Sequence, residues 1–199
     1  MFIFSFFTAS IFRMVLGIIL SIVLLAVLSV AVVGALAVTG GPSACTPGDG
    51  PITVDAANST SFQQKWDALN ATLDSGAAGS TTFSESELSS RADTYLRKHD
   101  AGFNHPRVCV HNGSGEASAT FSFLGFDMKV KVKGTVDLTG RHPKAKAQHV
   151  DVGNIPGFLT GPAQKVVNRA IDSALGDVDL HHRYTATLTA GQSDVSGTP

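Results

Sequence analysis

Seven histidines, two cysteines and a near balance of acids and bases are the residues able to do chemistry in this chain. Cys109 and His111 stand two apart in a stretch of strand character, so their side chains share a face. A thiolate beside an imidazole is the pairing of a nucleophilic cysteine, but that chemistry needs a free thiol in an activating environment. His181 and His182 are adjacent, so on a strand they point to opposite faces and cannot hold one ion. His105, His111, His142 and His149 show no ligand spacing. The chain contains no H-E-x-x-H, G-x-S-x-G, S-x-x-K, phosphate-binding loop or dinucleotide fingerprint. The expectation is no catalytic residue, no metal site, no cofactor and no enzymatic activity.

The other chemistry open to Cys45 and Cys109 is a disulfide. Both lie beyond the apolar segment discussed below, where an oxidising compartment can join them. Such a bridge closes a loop of about 65 residues, worth roughly 4 kcal/mol in the chain-entropy view. It ties the segment after the apolar run to the first strand. Lipidation of Cys45 is the competing idea, but Pro42-Ser43-Ala44 lacks the leucine expected three residues before a lipoprotein cysteine.

The remaining candidates are apolar. Ala117, Ala119, Phe121 and Phe123 alternate with Ser118, Thr120 and Ser122, and Met128, Val130, Val132, Val136 and Leu138 continue the pattern. The face mixes small residues, including Gly134 and Ala186, with large ones. It is either a cavity for an apolar ligand or a surface on which a helix packs closely. Phe121, Phe123, Met128 and Tyr184, with Ile155, Phe158 and Leu159 from an apolar loop, are the candidate groove. That loop could equally be ordinary core, and Phe126 at the hairpin turn shares the ambiguity. Lys129, Lys131 and Lys133 line the opposite face with Arg141, Lys144 and Lys146 near. They read as a solvated strand face or a seat for anionic headgroups or cell-wall polymers.

These residues need elements to place them. A helix is expected from an N-cap at Ser61 with Gln64 at N3, carrying Phe62, Trp66, Leu69 and Leu73 as one stripe and ending at Gly76. Residues 75–82 read as a small-residue joint without structure. A second helix opens on a capping box of Ser84 and Glu87, with Phe83 and Leu88 as hydrophobic staple, and stops at Gly102. Strands follow at Val108–Val110, from Ala117, after a turn over 124–127, and at 147–152. Gly134 marks a bulge or a close backbone contact. A third helix starts at Gly161-Pro162 and carries Val166, Val167, Ala170, Ile171, Ala174 and Leu175. The longest strand is expected over 178–190, with the end frayed after Ser196. The architecture is α+β: a curved antiparallel sheet packed with about three helices.

The chain resembles the YpmS-like and LmeA-like membrane-anchored envelope proteins of bacteria, related to the tubular lipid-binding (TULIP) class. The likeness rests on one amino-terminal apolar segment, Phe-Ser-Glu-Ser-Glu-Leu at 83–88 and the alternating strands at 114–138. It also rests on the run Val152-Gly-Asn-Ile-Pro-Gly-Phe-Leu159 before an amphipathic helix and closing strand. The resemblance implies an elongated curved sheet wrapped against a helix, with an apolar groove for acyl chains. It supplies no catalytic residue.

Location follows from the amino-terminal segment. Met14 to Val38 runs 25 residues without a charge. At the helical rise that is about 37 Å, against roughly 30 Å of bilayer hydrocarbon. Arg13 precedes it and Asp49 and Asp55 follow, so the positive-inside rule puts the rest of the chain outside the cell membrane. A cleaved signal peptide ending at Ala35-Leu36-Ala37 is the rival reading, and it exports the domain as well. The expected organisation is a leader and transmembrane anchor over 1–38, a linker over 39–58 and an extracytoplasmic domain over 59–199. A net charge of −1 gives no footprint for nucleic acid. The expected function is a single-pass, membrane-tethered domain that binds membrane lipid or another apolar ligand. The alternative is an envelope interaction or scaffold module holding a protein or cell-wall partner.

Overall fold

A computed structural model describes residues 40–99, 102–123, 126–153 and 180–199, with the single positions 161, 165 and 168. The fold is α+β. Helices α1 (Ala56–Asp74) and α2 (Glu85–Lys98) flank strand β1 (Gly79–Ser84). Strands β2 (Phe103–His111), β3 (Ser114–Phe123), β4 (Phe126–Asp137) and β5 (Lys144–Val152) follow, and β6 (Arg183–Thr189) and β7 (Gln192–Thr198) close the chain. The strands make two antiparallel sheets rather than one curved sheet, in orders β1-β7-β6 and β2-β3-β4-β5. Two described helices stand where about three were expected. The third falls mostly outside the described residues, where 161, 165 and 168 are helical. The segment Met14–Val38 and the turn at 124–125 also lie outside them. Among the described residues no helix is long and apolar enough to cross a membrane.

The first helix starts earlier than its capping box suggests. Asp55 is the N-cap, its carboxylate accepting the Asn58 N–H at 2.7 Å. Ser61 therefore sits inside the helix, where its hydroxyl donates to Glu87 at 2.5 Å. Charge at the N-cap outweighs the serine signal, because an aspartate also complements the helix dipole. The apolar stripe holds: Leu69 and Leu73 are buried, with Phe62 and Trp66 packed beside them. Gly76, at φ +82°, ends the helix.

Residues 79–84 are not a joint but strand β1, paired along its length with β7. The chain end is not frayed after Ser196. Ser196 and Gly197 pair with Ser80 and Gly79 on one side and with Thr185 and Tyr184 on the other. β7 is thus the middle of its sheet. Its sequence Gln-Ser-Asp-Val-Ser-Gly-Thr carries little apolar alternation, so pairing on both edges makes it a strand where its own pattern does not. The expected long strand over 178–190 is β6, seven residues, followed by a turn at 190–191. β4, with 12 residues, exceeds it.

Leu69, Leu73, Phe83, Leu180, Tyr184 and Val195 form the buried cluster between α1 and the three-stranded sheet. The capping box of α2 closes as expected. The Ser84 hydroxyl accepts from Glu87 N–H, and the Glu87 carboxylate accepts from Ser84 N–H. Phe83 is buried beneath it, with Leu88 packed on the same cluster. Gly134 sits where the β4–β5 register shifts. A Cβ there would fall 2.4 Å from the Lys146 carbonyl oxygen, so only glycine lets the two backbones approach.

Candidate functional site

Across the four-stranded sheet the pairing Val108, Ala117, Val132, Val150 repeats one step on as Ala119, Val130, Val152, and then as Phe103, Phe121, Met128. Directly paired residues point to one side, so this face is apolar across four strands in the first row and across three in each of the next two. Gly115, Ala117 and Ala119 form a small-residue row along its middle. Val110 and Val130 on it are buried, Phe121 and Met128 are half-buried, Ala117 is exposed, and Val136 keeps 49% of its surface. Phe103 and Phe121 rings pack at 4.8 Å between centroids, and Met128 pairs with Phe121.

The expected groove residues do not all gather here. Phe121 and Met128 do. Tyr184 belongs to the other sheet, where its ring stacks on Trp66 at 5.1 Å and its hydroxyl donates to Asn70. The two-sheet division separates what one continuous sheet would have joined. Ile155, Phe158, Leu159 and the Phe123 side chain lie outside the described residues.

The opposite, polar face is crossed by residues 41–48. This stretch read as linker, yet it is fixed to the domain at several points. Cys45 is bonded to Cys109, with Cα atoms 5.9 Å apart. The Cys45 N–H donates to Ser118 Oγ at 3.2 Å, and Ser118 is buried under it. Gly48 lies against Val110 and Gly191 so closely that a Cβ would fall within 2.4 Å of both. Farther on, Ser86 Oγ accepts the Thr53 N–H at 3.0 Å, and Ser90 Oγ accepts the Asp55 N–H at 3.1 Å. The segment is a strap, and the folded unit starts before residue 59.

α2 supplies the strap's anchorage through polar residues. Glu85 is 3% exposed, and its Oε1 accepts the Gly48 N–H at 2.9 Å and the Val110 N–H at 2.6 Å. Ser89 Oγ accepts the Val108 N–H at 2.8 Å. Both serve the open edge of β2, which would otherwise offer unpaired donors to another chain. The sequence reading passed over these residues. Their signal was the density of serine and glutamate inside a helix, in Ser-Glu-Ser-Glu-Leu-Ser-Ser, where such residues compete with the backbone unless given other partners.

Of the residues singled out as able to do chemistry, Cys109 and His182 are held in structural contacts. Cys109 has no thiol, because both cysteines are in the bridge. His181 and His182 occupy the bend before β6 rather than a strand. His182 Nε2 lies 2.8 Å from Asp74 Oδ1 and joins the end of α1 to β6. Burial, helped by the Asp74 charge, pushes the Tyr184 hydroxyl above its ordinary value, so it stays protonated and donates. Among the described residues no three His, Cys, Asp or Glu side chains could hold a metal together. An open depression of about 820 Å³ over the ends of β1, β6 and β7 is lined by Ser80, Thr139, Arg183, Thr185, Ser196 and Thr198. Ala78, Gly79, Tyr184 and Gly197 complete its wall, which is as much apolar as polar and opens to solvent.

The class of protein these features define is a disulfide-closed α+β domain with one half-exposed apolar sheet face. No family model matches the chain, and no curated protein or solved structure matches it either.

Proposed function

We propose that this chain is a membrane-tethered, extracytoplasmic, non-enzymatic domain that binds lipid or another apolar ligand on the apolar face of β2-β3-β4-β5. The observation that carries this reading is the face itself. Its small central row of Gly115, Ala117 and Ala119 lies between branched and aromatic side chains, so a chain of methylenes can lie along it without displacing a large residue. Burying such a chain is worth about 0.8 kcal/mol per methylene. The Cys45–Cys109 bridge fits an oxidising compartment. The resemblance to the YpmS-like and LmeA-like proteins points the same way.

Residues 40–199, produced in an oxidising host and purified without detergent, test the reading by native mass spectrometry and solvent extraction. The expected result is a co-purifying acyl-bearing species that Ala117→Trp reduces at least tenfold. A ligand-free protein that also ignores added phospholipid would sink it.

A further inference from the structure

The strap limits how far the domain can lie from the end of the long apolar run. Two residues, Thr39 and Gly40, separate Val38, the last residue of the long apolar run, from Gly41, so three backbone steps join them. An extended chain covers at most about 3.6 Å per residue, so Gly41 lies within roughly 11 Å of that run's end. Gly41 is not on a free leash. A Cβ there would fall 3.1 Å from the Gly153 Cα and 3.4 Å from the Lys129 Cβ. Gly153 N–H in turn donates to the Lys129 carbonyl at 2.7 Å.

Followed backwards, the strap also has a direction. Gly48 lies at Val110, and Cys45 is disulfide-bonded to Cys109 and donates its N–H to Ser118, which pairs with Lys131. Gly41 lies at Lys129. The path therefore runs across the sheet and towards the end where β3 finishes at Phe123 and β4 begins at Phe126. Those strands continue past the Lys129 row by three residues, about 10 Å. The sheet end reaches as far as the tether can extend.

We propose that this end of the four-stranded sheet, marked by Lys129 on the strap's side and Phe121 and Met128 on the other, rests on an anionic bilayer surface. The inference depends on the anchor reading of Met14–Val38. Lys129 is exposed and Lys131 half-exposed on the strap's side, suited to phosphate-bearing headgroups. The apolar face meets the same surface at its Phe121–Met128 edge, so a hydrocarbon ligand can pass between bilayer and sheet without crossing water.

The test uses the full chain in vesicles of phosphatidylcholine and phosphatidylglycerol, with benzoylphenylalanine in place of Lys129 or of Lys144. Both lysines are exposed, and their rows are about 26 Å apart along the sheet. Irradiation and mass spectrometry read the lipid adducts, and an alkaline carbonate wash reads the anchor. Adducts at position 129 at least tenfold above those at 144, on wash-resistant protein, are expected. Equal or reversed yields on protein that stays with the vesicles overturn the orientation and leave the anchor standing. Protein released by the wash overturns the anchor reading, and the orientation with it.

Discussion

Glu85 is a carboxylate nearly withdrawn from water, and its worth lies in the two backbone donors it accepts, from Gly48 and Val110. Truncation leaves both donors unpaired in a buried place. Glu85→Ala is expected to lower stability by about 3 kcal/mol, read as a shift in the urea midpoint. Glu87 has a different role. Burial opposes its ionisation, but hydrogen bonds from Lys65, Ser61 and the Ser84 N–H outweigh that and hold its carboxyl below the ordinary value of 4.5. A depressed folded value stabilises the native state above pH 4.5, and the contribution disappears as pH falls through that lower value. Wild type is therefore expected to lose stability below pH 4.5 more steeply than Glu87→Gln. Parallel acid limbs in thermal melts from pH 6 to 3 would refute this. Ser84 and Glu87 were legible as a capping box because the signal is local. Glu85 was not, because its partners lie 37 and 25 residues away.

At the element scale, the strap and α2 act as one clamp on β2. Removing the bridge with Cys45→Ser and Cys109→Ser frees a loop of 64 residues in the unfolded chain. The expected loss is about 4 kcal/mol, with residues 41–48 becoming the first site of limited proteolysis. An unchanged cleavage pattern would show that the hydrogen bonds to Ser118 and Glu85 suffice. Gly134→Val is expected to cost about 2 kcal/mol by pushing β5 from β4 at the Lys146 carbonyl, measured by the same denaturant midpoint. A bulge or a close backbone contact was readable there from a glycine within an alternating strand, and the register shift and the Lys146 carbonyl show both. The strap was not. Its Gly, Pro, Ser and Thr composition matches a loose linker, and only close backbone contact at Gly41 and Gly48 distinguishes the two.

Across the whole molecule, the chain's last strand holds the three-stranded sheet together. β7 lies between β1, 112 residues earlier by the Thr82–Asp194 contact, and β6. Deleting residues 192–199 is expected to remove the support under Leu73 and Tyr184 and abolish a single cooperative unfolding transition, seen in Trp66 fluorescence. A truncated chain that still unfolds sharply would assign the stability to the four-stranded sheet alone. Both sheets meet at the β6–β7 turn, where Gly191 N–H donates to the Val110 carbonyl at 2.9 Å and Glu85 N–H to the Gly191 carbonyl at 3.3 Å. Damage at that junction reaches the strap, α2 and both sheets together.

Residue order alone determined the α+β class, the stripe of α1, the start of α2, the alternation of β3 and β4 and the place of Gly134. Each depends on side-chain periodicity or on groups within four residues of one another. Only the tertiary structure decided that there are two sheets, that residues 79–84 and 192–198 are strands, that Tyr184 leaves the apolar face, and that the supposed linker is bound down. Those outcomes depend on which backbone edges find partners across the chain. An unpaired edge exerts the same demand whatever its own sequence, so the pattern of the strand that answers it need not announce itself.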